Sequence, residues 1–254
     1  MTVVGVLHPG EMGAAVAGAL TGRGDPVLWA SAGRSAATAE RAAGTGLEDA
    51  GDVAEVCRRS EILLSICPPH AALDVARAAN GFKGVYVDAN AISPDTARAI
   101  AKLQPKFVDG GIVGSPPHQP GTTRLYLSGG EADQIAALFA GTNVDARVIS
   151  DEHGAASALK AAYAGWTKGS AALLLTVREL ARAEGVEDAL LEEWRLSIPD
   201  LEERLAGAER SARRKGWRWI GEMEEIAHSM AAQDLPAGFH EAAADVFRRT
   251  AGES

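Results

Sequence analysis

Lys160 is the residue whose type and setting most clearly offer chemistry. It stands in Ala155 to Ala164, a stretch otherwise made of alanines and a few small or apolar residues. Burial there disfavours the ammonium form, lowers the lysine pKa and lets the side chain exchange a proton near neutral pH. A second opportunity lies in Val3 to Gly13, read as VVGVLHPGEMG. An apolar run enters a glycine-punctuated turn and an alanine-rich segment leaves it, the pattern of a strand, a turn and a helix N-terminus that receives a pyrophosphate. In the G-x-G-x-x-G form of this turn the second glycine lets the backbone approach the anion and the third lets helix and strand pack closely. Those two are Gly10 and Gly13, whereas His8, followed by Pro9, holds the first glycine position. His8, Pro9, Gly10, Glu11, Met12 and Gly13 are therefore expected to border a dinucleotide. A third signal follows the next apolar run, where Ser31-Ala32-Gly33-Arg34-Ser35 carries no acid. A carboxylate at that place would hold the ribose hydroxyls of NAD and repel an added phosphate, whereas Arg34 with Ser31 and Ser35 welcomes it. NADP(H) is the expected cofactor.

The elements that must hold these residues alternate. A helix to about Gly22 is followed by the turn Arg23 to Pro26 and a strand over Val27 to Ser31, and three further strands are read at Glu61 to Cys67, Val85 to Asp88 and Phe107 to Asp109. Helices fit between them at His70 to Ala79 and Pro94 to Leu103, the second entered through Ser93-Pro94. A last strand pair, Arg124 to Ser128 and Ala146 to Ile149, flanks a helix from about Glu131. This alternation predicts an α/β fold: a Rossmann-type doubly wound sheet, with ligands at the carboxyl edge of the strands. Cys67, Pro68, Pro69 and Asn90 sit on that edge. Beyond Asp151 the strand patterns stop. Gly154 to Ala183 runs without proline and predicts a helix of about 45 Å, followed by helices over Val186 to Arg249 with breaks at Pro199, around Gly216 and at Asp234 to Gly238. The expected organisation is residues 1–151 as an NADP-binding domain and 152–254 as an all-α domain for substrate and dimerisation, joined by the long helix.

Composition narrows the function classes. A formal net charge of −9 opposes nonspecific nucleic-acid binding, and the one basic cluster, Arg210 to Arg218, reads as a solvated helix face. No apolar run is long enough for a signal or a membrane span, so a cytoplasmic protein is expected. Cys57 and Cys67 read as reduced structural thiols, and the six histidines form no metal-type pair. No metal is expected. Trp166, Trp194, Trp217 and Trp219 read as core or subunit-interface anchors, and the length of the helix beside a small helical domain predicts a homodimer.

Together these motifs resemble the β-hydroxyacid dehydrogenase superfamily, which includes phosphogluconate and hydroxyisobutyrate dehydrogenases and imine reductases. GVLHPGEMG is similar to its G-x-I-G-L-G-x-M-G, with His8 for a glycine. SICPP (Ser65 to Pro69) falls where the family strand ends against the nicotinamide. DANAISP (Asp88 to Pro94) resembles D-x-S-T-x-S-P, with Asn90 and Ala91 for the Ser-Thr pair, and DGGIVGS (Asp109 to Ser115) resembles the substrate-carboxylate loop D-A-P-V-S-G-G, with Val113 for its serine. The catalytic stretch G-x-x-x-K-x-x-N-N is matched in part: Lys160 is present, Gly154 lies six residues before it, and Ala164 replaces the asparagine four residues after it, with Tyr163 just before.

The resemblance implies hydride transfer with Lys160 as proton donor, Tyr163 and Asn90 orienting the substrate, and Val113, Gly114 and Ser115 lining its site. The leading expectation is an NADP-dependent reductase of a small carbonyl compound, or oxidant of the matching hydroxy acid. An imine reductase is the near alternative, since the lost asparagine removes a substrate-orienting amide. A non-catalytic NADPH-binding sensor is the alternative from another class.

Overall fold

The computed structural model describes residues 1–252, and the chain divides into two compact units at Lys160. Unit 1 runs β1 (Val4–Val6), α1 (Glu11–Thr21), β2 (Val27–Trp29), α2 (Ala36–Gly44), β3 (Glu48–Asp49), α3 (Val53–Arg59), β4 (Ile62–Ser65), α4 (Ala72–Ala78), β5 (Val85–Asp88), α5 (Pro94–Ala101), β6 (Phe107–Gly114), β7 (Thr123–Ser128), α6 (Ala132–Leu138) and β8 (Val144–Ser150), and it takes in the start of α7 (Ala155–Ala183). The strands form one sheet in the order β3-β2-β1-β4-β5-β6-β7-β8. Every neighbouring pair is parallel except β6 with β7.

Two-residue periodicity decides which side chain meets which layer. Val4, Val6, Ile62, Leu64 and Val87 face one core with Val16 and Leu20 of α1 and Ile135 of α6. Leu63, Tyr86 and Phe107 face the other with Val56 of α3, Ala76 of α4 and Ile100 of α5. With both faces covered, the strands read as unbroken apolar runs. Fully burying a Leu, Ile or Phe contributes roughly 1.5 to 3 kcal/mol, so the strand ends stand on a rigid platform. Ser35, Asp52 and Ser93 cap α2, α3 and α5 by accepting from the amides of Thr38, Glu55 and Thr96. Gly10 caps α1 with no side chain.

Some expectations need correction. The stretch DGGIVGS is not a loop: β6 continues to Gly114, pairing Val113 with Arg124 and Gly114 with Thr123. Ile112 and Val113, both buried, carry the strand on beyond the glycines. The helix expected over His70 to Ala79 begins as a 3-10 turn at Pro69–Ala71, because proline is accommodated there, and only then becomes α4. The two-residue β3 and the helices around it carried too little pattern to be read.

The rest of α7, with α8 (Glu187–Ser197), α9 (Leu201–Ala231) and α10 (Gly238–Gly252), makes up the helical unit. Its core gathers Ala164, Ala172, Ala212, Met223, Ile226 and Phe247, with Trp219 edge-on to Phe247 at 5.0 Å between ring centroids. Gly216 does not break α9. It is buried inside that helix, facing α10, where even a Cβ would make only an ordinary contact, 3.8 Å, with the carbonyl oxygen of Phe247. Of the four tryptophans in the helical unit, Trp194 is buried and Trp219 packs on the core, while Trp166 and Trp217 are exposed. No helix among the described residues is long and apolar enough to cross a membrane.

Candidate functional site

The order of the parallel strands reverses at β1, with β2 on one side and β4 on the other, which places a topological switch point and its ligand crevice at the carboxyl ends of β1 and β4. The residues there form two clusters of different character. The first sits on the ends of β1 and β2. Because Gly10 supplies no capping side chain, the opening amides of α1 face outward without a partner from the cap. A Cβ at Gly13 would overlap the carbonyl oxygen of His8, whereas one at Gly10 would meet nothing within 4 Å. Gly13 thus seats the helix on the strand, and Gly10 leaves the approach open.

Arg34 reaches back over this turn, its Nη2 donating to the carbonyl of Leu7 at 3.4 Å. Its Nε is buried with no hydrogen-bond partner, and so is Nδ1 of His8. Burial first, and then the charge of Arg34, hold the His8 imidazole down to about 4, so it is neutral at physiological pH. Arg41 of α2 adds a second guanidinium, with Nε 3.5 Å from the carbonyl oxygen of Pro9. It was not read from the sequence because it lies a full helical segment after the motif. The serines beside Arg34 have local tasks. Ser35 caps α2. The Asp49 carboxylate is held below its ordinary range by hydrogen bonds from Gly51 and then Ser31, which turns Ser31 toward β3. An unpaired nitrogen on Arg34, one on His8 and an uncapped helix end fit the phosphates of a dinucleotide.

The second cluster lies at the ends of β4 and β5 and on the part of β6 beside them, and it is saturated. Asn90 is buried; its Oδ1 accepts from the Cys67 amide at 2.5 Å, and its Nδ2 donates to Asp88 Oδ2 at 2.8 Å and to Ser65 Oγ at 3.1 Å. Both amide hydrogens are engaged, so a single lone pair on Oδ1 is all that Asn90 can offer a ligand. It binds the end of β4 to the end of β5 instead of presenting a free carboxamide. Asp88 also accepts from the Asn90 backbone amide at 3.0 Å. Its register partner across the parallel pair is Asp109. Asp109 accepts from the Ser157 amide at 2.9 Å, from Ser157 Oγ at 2.6 Å and from Ser128 Oγ at 3.1 Å, and Ser128 Oγ in turn accepts from the Ala156 amide at 3.1 Å. The carboxylate therefore anchors the first turn of α7 from a strand.

Burial pushes the Asp88 carboxyl up to about 7, and the neighbouring Asp109 adds to it against the hydrogen bonds from Asn90. Burial also raises Asp109, opposed by Ser157, Ser128 and Gly154. With its several donors, Asp109 is the member that keeps its charge, and Asp88 takes the proton. Burial, with Asp88, pushes the Cys67 thiol up to about 12, so it is no nucleophile.

Lys160 follows one turn after this anchor. A Cβ on Gly111 of β6 would lie 2.8 Å from the Ala156 carbonyl oxygen and 3.1 Å from Lys160 Cβ, so only glycine lets α7 settle this closely on the sheet. Val113 is buried in β6, Gly114 adopts φ 114°, and the Ser115 carbonyl accepts from Thr123 Oγ1. Pro68 opens the turn that leads to α4. Tyr163 lies on α7 in the helical unit, half exposed. Ala164 belongs to that unit's apolar core. Among the described residues no cluster of three or more His, Cys, Asp or Glu could hold a metal.

Residues 181–250 match the model of a domain of unknown function, DUF1932. An uncharacterised 28.5 kDa protein of Methanothermus fervidus is 36% identical over 163 residues, and the match spans 63% of this chain and 63% of that protein. A conserved protein of unknown function, whose structure was described as similar to 3-hydroxyacid dehydrogenases, is 30% identical with a TM-score of 0.74, over 98% of this chain and 96% of that one. The fold is shared with a Mycobacterium tuberculosis 3-hydroxyisobutyrate dehydrogenase solved with L-serine, at 18% identity and TM-score 0.72 over 100% of this chain and 94% of that one. It is shared also with an Aspergillus terreus reductive aminase solved with NADPH and ethyl levulinate, at 20% identity and TM-score 0.63 over 100% and 95%.

Proposed function

Because this chain belongs to the β-hydroxyacid dehydrogenase superfamily, we propose that it is an NADP(H)-dependent oxidoreductase acting on a small carbonyl compound or the corresponding hydroxy acid. The observation that carries the reading is the turn His8 to Gly13, uncapped, open at Gly10 and overhung by the unpaired Arg34 Nε. When bound, NADP(H) supplies or accepts the hydride. The α1 amides would hold the pyrophosphate and Arg34 the ribose phosphate. Asn90 fixes the strand ends on which the reacting ring would rest. Lys160 gives its proton to the developing alkoxide during reduction and removes it during oxidation. Val113, Gly114, Ser115 and Tyr163 are the proposed substrate contacts.

An imine reductase is the second reading, favoured by Ala164: the position of the family's orienting amide is filled by a buried apolar residue, and a C=N substrate lacking a carboxylate does not need that amide. A panel of aldehydes, keto acids and cyclic imines followed by NADPH absorbance separates the two. Oxidation of NADPH by none of them, with tight NADPH binding retained, would favour a sensor over an enzyme.

The proposed assembly is a homodimer. Trp166, Leu173 and Leu180 recur every seven residues along α7 and are 72, 64 and 62% exposed, an apolar stripe of the kind that pairs with a second helix. Light scattering at micromolar concentration should give twice the chain mass, and a stable, active monomer would contradict it.

A further inference from the structure

The feature of this turn that a G-x-G-x-x-G pattern does not explain is His8. Glycine at the first position leaves the turn bare, and histidine instead brings an imidazole beside Arg34. Buried polar nitrogens without partners each cost of order 1 to 3 kcal/mol. Two of them here, His8 Nδ1 and Arg34 Nε, fall on one turn, next to a helix end that has no capping side chain. Nothing in the fold of unit 1 uses either atom. An arrangement that leaves both without partners, yet holds the arginine in place through the Leu7 carbonyl, is formed to receive an acceptor with several oxygens.

Charge says which acceptor. The charged group acting on His8 is Arg34, which follows β2; Arg41 of α2 reaches the same turn at the Pro9 carbonyl oxygen, and Cys67, past the end of β4, feels Arg34 as well. Cys67 is neutral, and Asp49 is turned toward Ser31 and Gly51. Burial, and then Arg34, hold the imidazole neutral. A phosphate dianion beside the imidazole opposes Arg34, because its negative charge favours the imidazolium. His8, with a buried nitrogen that has no partner, is the group there able to accept a proton.

We propose, resting on the NADP(H) reading above, that His8 is a second phosphate-recognising side chain beside Arg34, and that it takes up one proton from solvent as the ribose 2′-phosphate binds. The proton goes to the imidazole, which then donates to the phosphate through a charge-assisted hydrogen bond. The contribution is present at acidic pH and is lost as pH rises through the imidazole pKa of the complex, which the phosphate lifts well above that of the free protein.

Isothermal titration calorimetry with NADPH and with 2′,5′-ADP, in buffers of different ionisation heat, tests this on the wild type and on His8→Gln. Glutamine keeps the bulk and a neutral donor but cannot take a proton. The 2′-phosphate exchanges its own proton in both proteins, so the difference between them isolates His8. At pH 5.5 the wild type should bind NADPH about tenfold more tightly than His8→Gln and take up more protons, and at pH 8 the gap should close to below about twofold. Equal proton exchange in the two proteins, or a gap that persists at pH 8, overturns the role of His8 and leaves the cofactor reading standing. If the wild type binds neither probe, the cofactor reading fails and this inference with it.

Discussion

At the carboxyl ends of β4 and β5 and beside them on β6, Asn90 bonds Asp88 and Ser65, and Asp109 bonds Ser128 and Ser157, whereas at the ends of β1 and β2 Nδ1 of His8 and Nε of Arg34 have no partner. Both clusters sit on one edge of one sheet, a few strands apart. The difference is one of purpose. A saturated polar network rigidifies what it joins, here the strand ends and the start of the helix that bears Lys160. Unpaired donors stay available to a ligand at a cost in stability. Polar residues on a catalytic edge therefore divide into those that build and those that bind, and the hydrogen-bond inventory tells them apart where residue type does not.

If the edges have separate tasks, damage to one should leave the other working. The largest effect is expected from Lys160→Ala. It should lower kcat on the best substrate by about 10²- to 10⁴-fold, or roughly 3 to 5 kcal/mol of transition-state stabilisation, with NADPH affinity changed less than about twofold. Steady-state kinetics beside a direct titration check this, and full turnover by the variant would remove lysine from the mechanism and point to Tyr163.

Next comes the anchor. Asp109→Ala orphans the donors of Ser157 and Ser128 at the start of α7, which should destabilise unit 1 by about 3 kcal/mol. Urea denaturation measures it, and a loss below about 1 kcal/mol would mean that the network is dispensable.

A smaller, pH-dependent effect belongs to Asp88. Its folded pKa stands above the unfolded value, so its contribution is fully present below pH 4 and is lost as pH rises toward about 7. Between pH 5 and pH 7 the wild type should lose about 2 to 3 kcal/mol from this group. In Asp88→Asn that slope should flatten, although the asparagine sacrifices one hydrogen bond at every pH. Equal slopes in the two proteins would place the proton elsewhere.

Much of this was legible in the sequence. The apolar runs of β1, β4 and β5 and the proline-free length of α7 carry strong periodicity, and their positions matched. Motif order led to the carboxyl edge and to Lys160. The saturated cluster was not legible, because pairing Asp109 with Ser157 joins residues 48 apart in the chain, and no local spacing encodes a contact that sheet register creates. For a related reason Asn90 read as a substrate ligand: its motif position is local, whereas Ser65 and Cys67, two of the three residues its amide engages, come from the end of β4. Gly216 misled because a glycine that breaks a helix and a glycine carried inside a continuous buried helix look alike in sequence.

The central claim is that the ends of β1 and β2 await a phosphate-bearing nicotinamide cofactor, and the most direct measurement is a parallel titration of NADPH and NADH on the wild type and on Arg34→Ala. The account predicts NADPH bound at least about tenfold more tightly than NADH by the wild type, with that preference lost in Arg34→Ala, as expected for a charge-assisted contact of roughly 1.5 to 3 kcal/mol. Equal or tighter binding of NADH, or an Arg34→Ala variant that keeps its NADPH affinity, would contradict it.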